Sequence, residues 1–334
     1  MTNSNIKNEL IQDNKIQSVN SSMFNVKSVN KWLEIGSRLP ISKPLFGSIW
    51  HEYEVAILFA NTGKGKSILS YQLFDAISKG NTIFELETTQ SRVLYFDFEL
   101  SPRSLYNRYT DNTNQAFVFN ENFIRAEINH EQIDIEDIEI EQEIFNHIEK
   151  EVKKYSPKAI CIDNSSFLSS NNEKSKDALS FLKKLLKLSR KEEIAILVLA
   201  HRPKQNGLSM PVTLDHLAGS KALSNFCDVC YTIGDSVKDS NIVYIKELKN
   251  RNRAIVYNST NVIECKITKD QSLLKFELID LTSEKEHLYQ PDDTSDNQLQ
   301  QISQLKEEGL NNVQIAKRLG ISEGTVRNKL KKAK

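Results

Sequence analysis

The chain carries no net charge: 44 Lys and Arg balance 44 Asp and Glu among 334 residues. No global field therefore draws the protein onto nucleic acid, and any such binding must come from local patches. Long apolar runs are also missing. The longest, VAILFA (55–60) and IAILVLA (194–200), fall far short of the roughly 20 residues that span a bilayer. The opening MTNSNIKNEL has no basic-then-apolar leader pattern, so the expectation is a cytoplasmic protein with no membrane contact. Cysteine is scarce, at Cys161, Cys227, Cys230 and Cys265. Cys227 and Cys230 form one C-x-x-C. No second pair accompanies it and no His stands nearby at ligand spacing, so the four-ligand set of a structural zinc site is missing. FCDVCYTI (226–233) reads instead as a buried strand, and free thiols suit a reducing compartment. What is present is 39% hydrophobic residues, enough for a sizeable core, and a length that fits one large domain plus a small one, or two medium ones.

Residues 1–27 are polar and rich in Asn, Ser and Lys, the composition of a disordered or assembly arm. A loop-rich lead-in follows, with LPISKPLFGSIW at 39–50. Strand and helix patterns then alternate. EVAILFA (54–60), SRVLYFDFE (91–99), PKAICIDN (157–164) and IAILVLAHR (194–202) read as strands. KSILSYQLFDAISKG (66–80) reads as a helix ended by Gly80, and SPRSLYNRYT (101–110) as one capped by Ser101 with Pro102 in its first turn. KDALSFLKKLLKLSRKEE (176–193) is amphipathic, with Leu179, Leu182, Leu186 and Leu188 expected on the buried side. FCDVCYTIGD (226–235), SNIVYIKELKN (240–250) and AIVYNSTNVIECKI (254–267) continue as strands, partly antiparallel. Continuous apolar strands separated by helices predict an α/β fold whose mostly parallel central sheet is covered on both faces. Residues 127–143 carry eight acidic residues and no Lys or Arg, a solvated insert or a docking patch for a partner such as a replication protein. Residues 283–297 read as a linker, and 298–334 as a separate small helical module.

ANTGKGKS (60–67), between a strand and a helix, fits the phosphate-binding loop G-x-x-x-x-G-K-[ST] except for Ala60. Ala at a strand end, where φ is negative, costs little. Ala60, Asn61, Thr62, Gly63, Lys64, Gly65, Lys66, Ser67 and Ile68 are the expected nucleotide-binding residues. Backbone N–H groups of the loop and helix start surround phosphate oxygens, and Gly63 and Gly65 permit the tight turn. Lys66 reaches the β- and γ-phosphates of ATP, and Ser67 holds Mg²⁺. Asp163, ending the apolar run AICIDN, is the second expected Mg²⁺ residue. Of Asp97 and Glu99, Glu99 lies nearer the C-terminal sheet edge where ligands sit, so it is the expected catalytic base.

In order and spacing these motifs resemble the RecA-fold ATPases, in the branch of the RepA-type and DnaB-type hexameric replicative helicases. The resemblance covers roughly residues 30–280. It rests on YFDFELSPRSLYNR (95–108), AICIDN, LAHRP (199–203), LAGSKALSNFCDVCYTI (217–233) and KELKNRN (246–252). It implies a RecA-like P-loop NTPase domain over 28–282. His201 would be a sensor of the γ-phosphate, and the loop after it, with Arg202 and Lys204, would face DNA. Lys249 and Arg251 would reach the γ-phosphate of a neighbouring subunit. A ring, six-membered by resemblance, with single-stranded DNA passing through it, is implied in turn. Asp228 matches the family's strand aspartate, which makes FCDVCYTI core. Ala60 and the acidic insert depart from the family pattern.

GLNNVQIAKRLGISEGTVRNKLKKAK (309–334) carries a helix-turn-helix signal. Ala316 is small where two helices cross, Gly320 makes the turn, Ser322 caps the second helix and Val326 fills the core. This resembles the helix-turn-helix of resolvases and response-regulator output domains. Glu323, Thr325, Arg327 and Asn328 would be the base-reading positions on duplex DNA. Residues 298–334 hold eight Lys/Arg against three Glu, a local surplus that offers phosphate contacts. The sequence thus points to a ring-forming, ATP-hydrolysing DNA-binding protein, a replicative helicase or loader of a plasmid or mobile element. The alternatives are an ATP-switched DNA-binding regulator and, more remotely, a small-molecule phosphotransferase.

Overall fold

A computed structural model describes residues 23–129, 140–163, 174–201, 210–217, 221–288, 299 and 301–332. They belong to two compact units, Met1–Ile41 and Ser42–Lys334. In the first, helix α1 (Val29–Ser37) starts at Ser28, whose hydroxyl accepts the Lys31 N–H. Glu34 pairs with Lys31 and Arg38 along one side of it. The loop-rich lead-in expected after residue 28 therefore contains a helix. The remainder of the proposed arm, residues 1–22, lies outside the described residues.

The second unit opens with a small antiparallel hairpin, β1 (Pro44–Phe46) and β2 (Trp50–His51). Its main sheet has nine strands: β3 (Val55–Ala60), β4 (Val93–Asp97), β5 (Phe123–Glu127), β6 (Ala159–Asp163), β7 (Ala195–His201), β8 (Val229–Asp235), β9 (Ile242–Asn250), β10 (Val262–Asp270) and β11 (Leu273–Thr282). Their order across the sheet is β11-β10-β9-β8-β3-β7-β6-β4-β5. Strands β3 to β8 are mutually parallel where they pair, and β9, β10 and β11 extend one edge antiparallel.

Alternation divides the sheet's two faces. Ala56, Leu58, Val93, Tyr95, Cys161, Leu197 and Tyr231 meet helix α2 (Lys66–Lys79) through Leu69, Leu73, Phe74 and Ile77. Val55, Ile57, Phe59, Leu94, Phe96, Ile160, Ile162 and Ile196 meet α4 (Ile140–Tyr155) and α5 (Lys174–Glu192) on the other face. Burial on both faces is why these strands read as unbroken apolar runs. Short helix α3 (Pro102–Arg108) begins at the Ser101 cap, and α6 (Lys221–Asn225) precedes β8. All four thiols are buried and free.

Several expectations are corrected. Strands β5 and β11 were not expected; each mixes charged and apolar residues because it lies at a sheet edge. Residues 254–261 are irregular, with bends and one turn, and the strand begins only at Val262. The buried side of α5 is Phe181, Leu182, Leu185 and Leu188, with Leu179 and Leu186 only half-buried. The acidic stretch begins in β5 and ends in α4, and its residues 130–139 lie outside the described residues. Residues 283–288 are no linker. A 3₁₀ turn, Glu284–His287, packs on β9. The buried Glu284 carboxylate accepts from Lys246 Nζ (2.5 Å), Tyr244 hydroxyl (2.9 Å) and Val212 N–H (2.9 Å). His287, also buried, sits between the Ser236 and Thr282 hydroxyls, each 2.9 Å away.

At the C-terminus, residues 301–307 are helical and precede α7 (Asn312–Leu319) and α8 (Glu323–Lys332). Ile302, Leu305, Ile315, Ala316 and Val326 form a small separate core. Gly320 terminates α7 at φ +65°, and Ser322 accepts the Thr325 N–H. Among the described residues no helix is long and apolar enough to cross a membrane.

Candidate nucleotide site

The parallel strands deliver their C-terminal ends to one edge, so residues far apart in sequence become neighbours. In the register, Ala60 lies opposite His201 on one side and Ile233 on the other, and Asp97 lies opposite Asp163. Ala60 completes β3 as a buried strand residue paired on both sides, so a glycine is not required there. Asn61 to Gly65 then turn the chain into α2.

The two loop glycines differ. Gly63 has φ +78° and open space where a Cβ would point. Gly65 has φ +82°, and a Cβ there would stand 2.8 Å from the Phe276 ring and 3.2 Å from Ile267. The antiparallel extension thus packs against the loop from one side while Gly63 leaves the other open. Asp235, at the end of β8, holds the loop tip: it accepts from Asn61 Nδ2 at 2.6 Å and pairs with Lys64 Nζ at 2.6 Å.

Lys66 is buried, and its Nζ donates to the Ala60 and Asn61 carbonyls at 3.1 and 3.3 Å. Burial lowers its pKa, while the nearby Asp163 and Glu99 carboxylates act in the opposite sense. His201 bridges the site, with Nδ1 3.4 Å from Lys66 Nζ and Nε2 3.7 Å from the Glu99 carboxylate. Asp163 is buried on the α2 face of β6, where it accepts from the Tyr95 hydroxyl at 2.7 Å and from Ser67. Burial pushes its pKa up to about 6, against those two hydrogen bonds.

β4 ends at Asp97, so Glu99 lies on the loop beyond it rather than on the strand. Asp97 itself is buried and takes a different part. Its carboxylate accepts from the Tyr71 hydroxyl, Arg125 Nε and the backbone N–H groups of Glu99 and Leu100.

These residues fit a nucleotide and its metal. Gly63 leaves open space beside the loop, with no atom within 4 Å of where its Cβ would stand. Ser67 and a buried carboxylate with a raised pKa stand together beside Lys66, a donor set suited to a hard cation such as Mg²⁺.

Lys249 and Arg251 are not at this edge. Lys249 lies opposite Cys230, and its Nζ donates to the carbonyls of Ser224 and Cys227. Arg251 pairs with Asp228 at 3.3 Å and donates to the Asn225 carbonyl. Asp228 also accepts the Val55 N–H, at the opposite end of β3 from the loop. Arg202 and Lys204 lie outside the described residues. Of the residues expected to read bases, Arg327 and Asn328 are exposed on α8, and Glu323 and Thr325 are half-buried at its start.

A mostly parallel sheet with a phosphate-binding loop leading from β3 into α2, and a buried aspartate ending β6 two strands away, defines a P-loop NTPase fold. The chain matches the AAA domain family (AAA_25) over residues 22–207, more than half its length, and belongs to that family. Membership implies nucleotide binding. Among solved structures, it is similar to a KaiC-like protein from the hyperthermophilic archaeon Pyrococcus horikoshii. That likeness has 11% identity, covers 71% of this chain and all of the other, and has a TM-score of 0.48. No curated protein matches the chain in sequence.

Proposed function

We propose that the protein is a ring-forming, DNA-dependent ATPase that acts as a helicase or helicase loader. One observation carries the ring. Lys249 stands three residues before the Ala60–Ile233 level of the sheet, and Arg251 about five, which at ~3.3 Å per residue is roughly 10 and 17 Å. Their side chains, moreover, lead away from the loop. Neither reaches the chain's own phosphate cradle, so as cations for a γ-phosphate they serve the cradle of another copy. The complete site then lies between subunits.

Bound Mg²⁺·ATP would supply the scissile phosphoanhydride and a metal that offsets charge on the transferring group. The chain's residues divide the remaining work. Loop N–H groups and Lys66 bind the phosphates, with Ser67 and Asp163 as metal ligands. Glu99 accepts the proton of the attacking water, and His201, touching both Lys66 and Glu99, senses the γ-phosphate. Lys249 and Arg251 of an adjacent copy stabilise transition-state charge. The C-terminal helices, with their basic surplus and exposed Arg327 and Asn328, form a helix-turn-helix that holds duplex DNA.

The test is ATP turnover with and without single-stranded DNA, for wild type, Lys66→Ala and Arg251→Ala, together with size measurement in the presence of ATP. Turnover stimulated by single strands, lost in both variants, with nucleotide binding kept by Arg251→Ala, is expected. Full activity of Arg251→Ala in a protein that stays monomeric with ATP overturns the ring. The small core of the C-terminal helices favours one second reading, an ATP-switched regulator. It predicts ATP-dependent binding to a specific duplex with no strand displacement.

A further inference from the structure

The loop that carries Glu99 is pinned at four backbone groups of residues 98–100. The Phe98 N–H donates to the Asp163 carbonyl at 2.7 Å. The N–H groups of Glu99 and Leu100 donate to Asp97 Oδ1 at 3.2 and 2.9 Å. The Leu100 carbonyl accepts from Arg125 Nη2. Asp97 Oδ2, the other oxygen of that carboxylate, takes the Tyr71 hydroxyl at 2.8 Å and Arg125 Nε at 3.0 Å. Arg125 therefore holds Leu100 twice, directly through its carbonyl and indirectly through the Asp97 carboxylate that receives its N–H. Its third contact, Nη1 to Glu127 at 2.7 Å, fixes the guanidinium along β5.

A buried carboxylate needs a cation and a full set of donors, and Asp97 has both. Merely balancing a charge would not require that one carboxylate oxygen be spent on two successive loop N–H groups. Nor would it require the balancing arginine to close the same loop from its carbonyl side. We propose that Asp97 and Arg125 are positioning residues for Glu99, a rigid bracket that aims the base at the water beside the phosphate cradle. The bracket is built on Tyr71 of the phosphate-loop helix and Arg125 of the edge strand, so it references the base to the same helix that holds Lys66. The proposal rests on the reading of Glu99 as catalytic base.

The experiment measures kcat, KM and the dissociation constant of a fluorescent ATP analogue. The proteins are wild type, Glu99→Gln, Arg125→Gln, Arg125→Lys and the double variant Glu99→Gln/Arg125→Gln. Loss of aim lowers kcat by roughly tenfold to a hundredfold in Arg125→Gln, with nucleotide affinity within about twofold of wild type. Arg125→Lys keeps a cation beside Asp97 without the fork, so it restores thermal stability but only part of kcat. With the base removed there is nothing to aim, so the double variant is no slower than Glu99→Gln alone. Added guanidinium ion recovers part of the turnover of Arg125→Gln. Should Arg125→Gln fail to fold, Tyr71→Phe removes one hydroxyl from the bracket and is read in the same way, with a smaller loss of kcat. Losses that add in the double variant, or a change in affinity as large as that in kcat, overturn the bracket while leaving Glu99 as base. Wild-type turnover by Glu99→Gln overturns the base assignment and the bracket with it.

Discussion

Replacing Gly65 by alanine tests the claim that the antiparallel extension forms one wall of the nucleotide loop. Two costs add. A β-carbon at φ +82° carries a backbone penalty of about 1–2 kcal/mol. It also meets the Phe276 ring at 2.8 Å, and that ring cannot easily move. Phe276 is buried, and both its backbone groups are held by the Gln72 side chain, at 2.9 Å from Nε2 and 2.8 Å to Oε1. Forced overpacking of this kind costs typically ~1–3 kcal/mol. Gly65→Ala should therefore destabilise by about 2–5 kcal/mol, whereas Gly63→Ala, at φ +78° with open space beyond, should lose only about 1–2 kcal/mol. Denaturant unfolding of the nucleotide-free protein measures both. The decisive comparison is a double-mutant cycle with Phe276→Leu, whose smaller side chain relieves the contact. A coupling of about 1 kcal/mol is expected for Gly65→Ala and none for Gly63→Ala. Equal losses at the two glycines, or zero coupling with Phe276, would refute the packing of β11 against the loop.

Asp163 ionises in the fold only near pH 6 and in the unfolded chain near pH 4, so stability falls as pH rises between those values and the penalty is complete above them. Asp163→Asn should accordingly raise the melting temperature of the nucleotide-free protein at pH 8, by up to roughly 2–3 kcal/mol of stability, while abolishing Mg²⁺-dependent turnover; a lower melting temperature contradicts this. The same ionisation makes Mg²⁺-dependent nucleotide binding weaken as pH drops below about 6, measurable by titration of a fluorescent ATP analogue. Mixing Lys66→Ala with Arg251→Ala, each inactive alone, should recover part of the turnover if one copy completes another's site, and no recovery counts against a shared site. Arg251→Ala should cost under about 1 kcal/mol of stability, because its pair with Asp228 is half exposed. Glu284→Ala leaves Lys246 buried without its anion, so a loss of about 3–5 kcal/mol is expected, and a chain ending at residue 282 should be destabilised similarly.

The fold was legible where physics leaves periodic marks. Strands β3, β4, β6 and β7 are buried on both faces and read as apolar runs, and Gly80 and Ser101 mark helix boundaries through backbone conformation and capping. Edge strands leave weaker marks: Arg125 and Glu127 interrupt β5 because one flank of it is open, and their purpose appears only once β4 lies alongside. The same holds for the site. The placement of Lys66 at the start of α2 and of Asp163 at the end of β6 was readable from local patterns. Asp235, Phe276 and Arg125 were not, since each meets the loop or its neighbour across more than twenty residues of chain, with no local spacing to signal it. Asp97 stood in plain view beside Glu99, but only the end of β4 between them shows that one is a buried strand residue and the other lies on the loop it holds. The supposed linker was misread because Glu284 and His287 are polar, and polarity alone does not reveal that Glu284 meets the buried Lys246 on β9 or that His287 meets Ser236 just past the end of β8.

The site also explains why a neutral chain can bind a highly charged ligand. Its charges are few, and their strength comes from where the sheet holds them. Lys66 and Asp163 are both taken out of water, each at a cost visible in the direction of its pKa, and Gly63 and Gly65 hold conformations that other residues resist. None of these features stabilises the empty protein. They are tolerated because the two apolar faces of the sheet, packed on α2 and on α4 and α5, over-determine the backbone from which they project. With its stem buried, a single lysine beside a helix start exerts on phosphate oxygens an attraction that full exposure to water would largely cancel. Such a device needs no global surplus of positive charge. It needs a rigid frame, and the walls at Asp235 and Phe276 show that β8 and the antiparallel edge are as much part of that frame as the strands that bear the motifs.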